Sequence, residues 1–314
     1  MDSRKIKGYT LGFIAATTYG LNPLFALPLM SAGMNTSSIL LLRYACAIPV
    51  IGAMMLARGR SFKVTPKQLL LLAIFGIFTG VSSLALFESY CYMDAGIAST
   101  LLFVYPLMVA MIGVMCFKER LSLLMALCLI GALAGIALLY KGEGGATLSV
   151  TGTVWVMVSA LTYAIYIVGV NHTELSKIPT LRVTFYVLIF GSSVFVFNIA
   201  GNTFTAPTGP MEWGSVAALA ILPTAVSFLC TTTAIGYIGS TPTAILGAME
   251  PLTAVVIGVT VFGEKLTGRD IIGLILILAA VTLVILGSSA GEWLTRIRRL
   301  FPRKLRSIKQ SVNK

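Results

Sequence analysis

Charge is what this sequence has least of. Asp, Glu, Lys and Arg together make up 11% of the chain, against about a quarter in a soluble domain, which excludes an ordinary soluble protein. Histidine occurs once, as His172, and no His, Cys and carboxylate residues stand at metal-ligand spacing, so neither a metal site nor a cofactor is expected. The five cysteines (Cys46, Cys91, Cys116, Cys128 and Cys230) lie within or at the ends of apolar runs without paired close spacing, and read as free thiols in small apolar positions. A phosphate-binding loop is missing as well: Gly258 and Gly263 have its opening spacing, but Glu264-Lys265-Leu266 follows where Lys and Ser or Thr are needed. That excludes an ATP motor. With no nucleophile elbow and no soluble domain of useful size, enzyme chemistry has little to stand on.

What fills the chain instead is apolar sequence. Hydrophobic residues reach 57% and the mean hydropathy is +0.93. They gather into runs of about 20 residues separated by short polar breaks, each run matching the hydrocarbon thickness of a bilayer. The pattern predicts spans over 8–30, 36–57, 68–90, 96–117, 122–140, 151–171, 181–200, 214–236, 243–262 and 268–288. Such spans are helices, because lipid offers backbone amides no partner and barrel strands are about half as long and alternate in polarity. Trp155, Trp213 and Trp293 fall near span ends, the depth tryptophan favours. The expected fold is an all-α integral membrane protein with ten transmembrane helices.

A formal charge of +12 would point toward nucleic acid in a soluble protein. Here its placement points to lipid. Arg4, Lys5, Lys7, Arg58, Arg60, Lys63, Lys67, Lys118, Arg120, Lys177, Arg182 and the basic residues from Arg296 to Lys314 fall on one side of the predicted spans. The other side receives Lys141, Lys265 and Arg269, and Arg43 lies within a span. The positive-inside rule then puts both termini in the cytoplasm. The tail follows a span directly and has few aromatics for base stacking, so its expected partner is anionic headgroups rather than nucleic acid. The first run carries no clear small-residue cleavage site and reads as a retained span.

The chain also repeats itself. Residues 110–122, which pass through Ile112-Gly113-Val114 and Phe117 to Glu119-Arg120-Leu121-Ser122, parallel residues 255–267, which pass through Ile257-Gly258-Val259 and Phe262 to Glu264-Lys265-Leu266-Thr267. The shift is 145, and it also sets Tyr105-Pro106 over Glu250-Pro251 and Tyr92 over Tyr237; a shift of 144 sets Thr18-Tyr19 over Thr162-Tyr163. The organisation expected is a first five-helix repeat over 1–141, an external linker over 142–150, a second five-helix repeat over 151–289 and a basic cytoplasmic tail over 290–314. An odd number of spans per repeat makes the second enter from the opposite face, an inverted topology of the kind used for alternating access.

At these residues the chain resembles the EamA-type members of the drug/metabolite transporter superfamily, which carry two five-helix repeats. The resemblance covers almost the whole chain. It is strongest from Ala95-Gly96-Ile97-Ala98-Ser99 into Tyr105-Pro106 and Lys118-Glu119-Arg120-Leu121-Ser122, and from Thr243-Ala244 into Glu250-Pro251-Leu252 and Gly263-Glu264-Lys265-Leu266. It implies a multi-pass secondary transporter of the bacterial inner membrane, often an exporter of amino acids or related metabolites. Tyr105 stands where the second half has Glu250, so the two halves are not chemically equivalent.

An ionisable side chain inside a span costs at least ~2.5–3.5 kcal/mol at the centre and needs a partner or a watery cavity. Arg43, Glu88 and Glu250 meet that description, with Asp94 a weaker candidate in a short external turn. Glu250 suits a proton or substrate-amine site, with Pro251 freeing a carbonyl one turn earlier, or a buried carboxyl holding the halves together. Arg43 suits recognition of a substrate carboxylate, or a salt bridge to Glu88, or snorkelling. Tyr19, Asn22 and Pro23 in the first span, and Thr162, Tyr163 and Tyr166 in its repeat mate, are candidate cavity liners, as is Tyr105. Thr231-Thr232-Thr233 is expected to bond mainly to its own helix. Glu119-Arg120 and Glu264-Lys265 read as repeat-end or gate elements. Gly76, Gly80, Gly131 and Gly135 are expected to permit close helix packing. These features favour a secondary carrier moving a small metabolite, such as an amino acid, by alternating access, proton-coupled through Glu250 or Glu88 and directed toward export. A membrane sensor or scaffold built on the basic tail, or a passive facilitator or channel, remains open.

Overall fold

The structure, a computed structural model, describes residues 3–93, 95–118, 123–139, 149–201 and 203–260, with 268–269, 271–273, 275–280 and 283. Asp94, Glu119-Arg120, Glu264-Lys265 and the tail over 290–314 lie outside the described residues. Among those described the structure is helical, without strands.

Among the described residues, six helical segments are long and apolar enough to cross a membrane: Ser3–Ser31, Thr36–Ala57, Pro66–Ser89, Val150–His172, Thr180–Ile199 and Pro210–Ile238. Shorter apolar helices run over Tyr105–Phe117, Leu123–Gly135 and Ile271–Ala280. Several of the predicted spans are unbroken. Helix α3 occupies Thr36–Ala57, with the Asn35 side chain accepting from the Ser38 amide at 2.7 Å. Helix α4 occupies Pro66–Ser89 behind a reciprocal cap between Thr65 and Gln68. Helix α7 runs Leu123–Leu139, α8 runs Val150–His172 and α9 runs Thr180–Ile199.

Others are interrupted, and each interruption has a local cause. The first predicted span divides into α1 (Ser3–Tyr19) and α2 (Asn22–Ser31), where Pro23 removes an amide at the second helix's first turn. The fourth divides into α5 (Ala95–Leu102) and α6 (Tyr105–Phe117), with Pro106 in the first turn of α6. The ninth divides at Gly247-Ala248 into α12 (Ser240–Leu246) and α13 (Met249–Thr260), with Pro251 in the first turn of α13. In the eighth, α10 (Pro210–Leu219) passes through a π-helical stretch, Ala220–Val226, into α11 (Ser227–Ile238). Pro223 lies within that stretch, and Thr224 bonds the Leu219 carbonyl five residues back at 2.7 Å.

The two halves interleave. Helix α4 packs against α8 and α9, α1 against α11 and α13, α3 against α9 and the π stretch, and α6 against α8 and α12. Two of these crossings carry the same hydrogen bond. Ser82 donates to the Ser159 carbonyl at 3.0 Å, and Ser227 donates to the Ala15 carbonyl at 3.0 Å. Ser82 and Ser227 are 145 residues apart and Ala15 and Ser159 are 144 apart, so the internal repeat of the sequence recurs in the packing.

Close packing follows glycine at three of the four expected positions. A Cβ on Gly80 would lie 2.5 Å from the Gly191 carbonyl oxygen, one on Gly76 2.7 Å from Phe190 Cβ, and one on Gly135 2.8 Å from the Gly273 carbonyl oxygen. Gly131 differs: its nearest neighbour would be Ala280 Cβ at 3.9 Å, an ordinary contact.

Candidate functional site

The breaks in α1–α2, α5–α6 and α12–α13 converge, bringing Tyr19, Asn22, Tyr105 and Glu250 together. Gly20 makes one approach possible, since a Cβ there would sit 2.7 Å from the Glu250 carbonyl oxygen and 2.9 Å from Thr253 Cβ. Gly247 makes another, since a Cβ there would collide with the Tyr105 hydroxyl.

Repeat mates touch each other here. Tyr19 and Tyr163 stack with ring centroids 6.2 Å apart and planes at 9°. Tyr105 and Glu250 lie within interaction range of each other, and the Tyr105 hydroxyl donates to the Ala244 carbonyl at 3.3 Å. The Tyr105 and Tyr163 rings meet edge-on at 4.9 Å and 71°, and Tyr166 lies 6.1 Å beyond Tyr163 with its hydroxyl 3.1 Å from Thr232 Oγ1.

Two cavities adjoin this cluster. Tyr19, Gly20, Asn22, Pro23, Tyr90 and Ser99 help line the first, which Leu86, Leu102 and Glu250 complete. The second is bounded by Gly12, Ala15 and Ala16 of α1, by Tyr163 and Ile167 of α8, and by Tyr105, Thr231, Thr243, Gly247 and Glu250. Along α1 and into α2 the lining of the second cavity precedes that of the first, so the two are stacked along this segment. Glu250, 8% exposed, belongs to both walls.

Arg43 is completely buried. Its Nη1 donates to Asn22 Oδ1 at 2.8 Å, its Nη2 to the Pro223 carbonyl at 3.1 Å and its Nε to Thr224 Oγ1. Phe87 and Tyr44 flank the guanidinium, with ring centroids 5.7 and 5.9 Å from Cζ. The expected salt bridge to Glu88 is not formed, and full burial overturns snorkelling. The physical reason is the π stretch, which turns the Pro223 carbonyl and Thr224 hydroxyl toward α3 and so supplies neutral acceptors. Glu88 instead accepts from Thr36 Oγ1 at the start of α3, and it lines neither cavity.

Of the residues singled out in the sequence, Tyr19, Asn22, Pro23, Tyr105, Tyr163 and Glu250 line a cavity, while Arg43 and Tyr166 stand directly behind that lining. Thr162, Thr232 and Thr233 bond to carbonyls of their own helices at 2.8, 2.8 and 2.6 Å, whereas Thr231 reaches a cavity. Sequence reasoning passed over Gly20, Tyr90, Ser99, Gly247 and the Pro223-Thr224 pair. Pro223 inside an apolar run was the available signal for the last.

Comparison with known proteins places the chain. It matches the EamA-like transporter family over residues 6–141 and again over 150–286. An uncharacterized transporter from Archaeoglobus fulgidus is 31% identical over 217 residues, covering 68% of this chain and 75% of the relative. The uncharacterized transporter YvbV of Bacillus subtilis is 25% identical over 272 residues, covering 84% and 85%. A solved crystal structure shares the fold at 20% identity with a TM-score of 0.77, over 91% of this chain and 98% of that one. Matched over both of its repeats, the chain belongs to the EamA-like transporter family and is a membrane transporter rather than an enzyme.

Proposed function

We propose that the chain is a secondary active carrier that exports an amino-acid-class solute across the bacterial inner membrane by alternating access, coupled to protons at Glu250. The observation that carries this reading is the place of Glu250 in the walls of both stacked cavities. A single carboxyl at that junction can face either compartment without travelling, and can exchange a proton for a solute amine. The reading takes the chain as ten spans in two inverted five-helix repeats, 1–141 and 151–289, with both ends cytoplasmic and the basic tail on anionic headgroups. The repeat-related serine bonds and the paired breaks at Tyr105-Pro106 and Glu250-Pro251 support that arrangement, since interrupted segments at corresponding positions of two halves are where transporters of this design bind their cargo.

Tyr105 couples the protonation of Glu250 to the chain. Its hydroxyl has one proton and two neighbours, Glu250 and the Ala244 carbonyl. When Glu250 is protonated it can donate to Tyr105, which then donates to Ala244. When Glu250 is ionised, Tyr105 donates to the carboxylate, a bond worth about 1.5–3 kcal/mol against about 0.5–1.5 kcal/mol for a neutral one, and releases the carbonyl at the end of α12. Proton transfer thereby changes the bonding at the α12–α13 break.

Purified protein in liposomes is expected to show saturable counterflow of an amino-acid-class solute, and an imposed pH gradient is expected to change the flux. Glu250→Gln should retain exchange while losing the response to pH. A pH response that survives in E250Q removes Glu250 as the proton site.

A further inference from the structure

Asn22 is held in one orientation by chemistry alone. A guanidinium donates hydrogen bonds and cannot accept them, so the amide atom that meets Arg43 Nη1 at 2.8 Å is the oxygen, Oδ1. The nitrogen, Nδ2, occupies the opposite arm with two N–H donors. Asn22 is 1% exposed, and Nδ2 is enclosed and has no hydrogen-bond partner among the described residues. Buried polar groups left in that condition are rare in folded proteins and call for a reason. The same side chain lines the cavity that it shares with Tyr19, Tyr90 and Glu250. Tyr19 and Tyr90 each lie within electrostatic reach of both Arg43 and Glu250, so a cation and a carboxyl flank the space.

We propose that Asn22 Nδ2 is the group that recognises the acid end of the solute, donating to a carboxylate oxygen while the solute's amine faces Glu250. Arg43 is a positioning residue in this arrangement: it does not touch the solute, but locks the amide with its donor arm free and supplies positive charge behind it. The proposal rests on the reading of the chain as a carrier of amino-acid-class solutes, and it assigns the carboxylate to Asn22 rather than to the guanidinium.

Asn22→Asp separates the two roles of this side chain. Aspartate keeps the shape and the oxygen that accepts from Arg43, but it has no donor for the cavity. Full-length protein in phosphatidylethanolamine and phosphatidylglycerol liposomes is tested by counterflow with two matched pairs: L-leucine with isoamylamine, and L-phenylalanine with phenethylamine. Each amine is its amino acid without the carboxylate. In N22D the KM for the amino acids should rise about tenfold or more, while the KM for the amines stays within about twofold. Arg43→Lys, which keeps the cation but loses the planar fork, should show the same selective loss. Should N22D fail to fold, Asn22→Ala must show the same split between acid and amine. If N22D, or N22A in its place, weakens both members of a pair equally or neither, the role of Asn22 is overturned and the carrier reading stands. If the wild-type protein exchanges none of the four compounds, the solute class is overturned and this proposal with it.

Discussion

Gly247→Ala is the sharpest steric test of the site. Gly247 has φ −54° and ψ −18°, a conformation that alanine adopts without strain, so the substitution changes contacts and leaves the backbone preference alone. Its Cβ would overlap the Tyr105 hydroxyl, and would lie 2.8 Å from the Tyr105 Cζ and 2.8 Å from the Ala244 carbonyl oxygen. Tyr105 cannot yield freely, because Tyr163 packs edge-on against it at 4.9 Å and Phe103 at 5.8 Å. Overpacking of this kind costs about 1–3 kcal/mol, and losing the bonds of Tyr105 adds about 1 kcal/mol. G247A should therefore lose roughly 2–4 kcal/mol of stability, and Tyr105→Phe alone about 1 kcal/mol. In the double variant the colliding oxygen is gone, so its cost should fall short of the sum by about 0.5–3 kcal/mol. The relief is partial because Cζ remains. Equilibrium unfolding of the four proteins in mixed micelles measures each term. Additivity to within about 0.5 kcal/mol would refute the contact, as would a G247A protein as stable as wild type.

Two further outcomes follow from packing. Ser82→Ala and Ser227→Ala remove donors from repeat-related bonds of equal length, and the same unfolding assay should show similar losses of about 0.6 kcal/mol each, the typical worth of such a bond between membrane helices. Gly80→Ala should cost about 1–3 kcal/mol, since its methyl meets the Gly191 carbonyl, whereas Gly131→Ala, with only Ala280 nearby, should leave the unfolding midpoint unchanged or slightly raised.

Much of this arrangement was legible in the residues because it rests on local chemistry. Proline in the first turn of a helix removes an amide that would otherwise need a partner, and Pro23, Pro106 and Pro251 stand at breaks in spans that the hydropathy pattern reads as continuous. The glycines of α4 were legible as contact points because a missing Cβ has few other uses in a span, though Gly131 shows that the inference fails singly. The surroundings of Arg43 were not legible. Its acceptors are an amide, a hydroxyl and a backbone carbonyl, and the last two lie about 180 residues away on the π stretch. Charge complementarity therefore pointed to Glu88, the one carboxylate near the same end of its span, while neutral acceptors leave no pattern to search for. Nor could sequence show that Tyr19 stacks on its own mate, because a repeat states which residues correspond and not which ones meet.

That self-meeting has a mechanical consequence. On the proposed alternating-access reading, the two halves trade conformations and contacts away from their common axis are exchanged for their counterparts: the bond between Ser82 and Ser159 and the one between Ser227 and Ala15 would swap environments. A pair on the axis has no counterpart to exchange with. The stacked rings of Tyr19 and Tyr163 can thus serve as a bearing, keeping one contact through both halves of the cycle. On the same proposal the other axial pair, Tyr105 and Glu250, joins unlike residues, and that mismatch would give two otherwise equivalent states different energies.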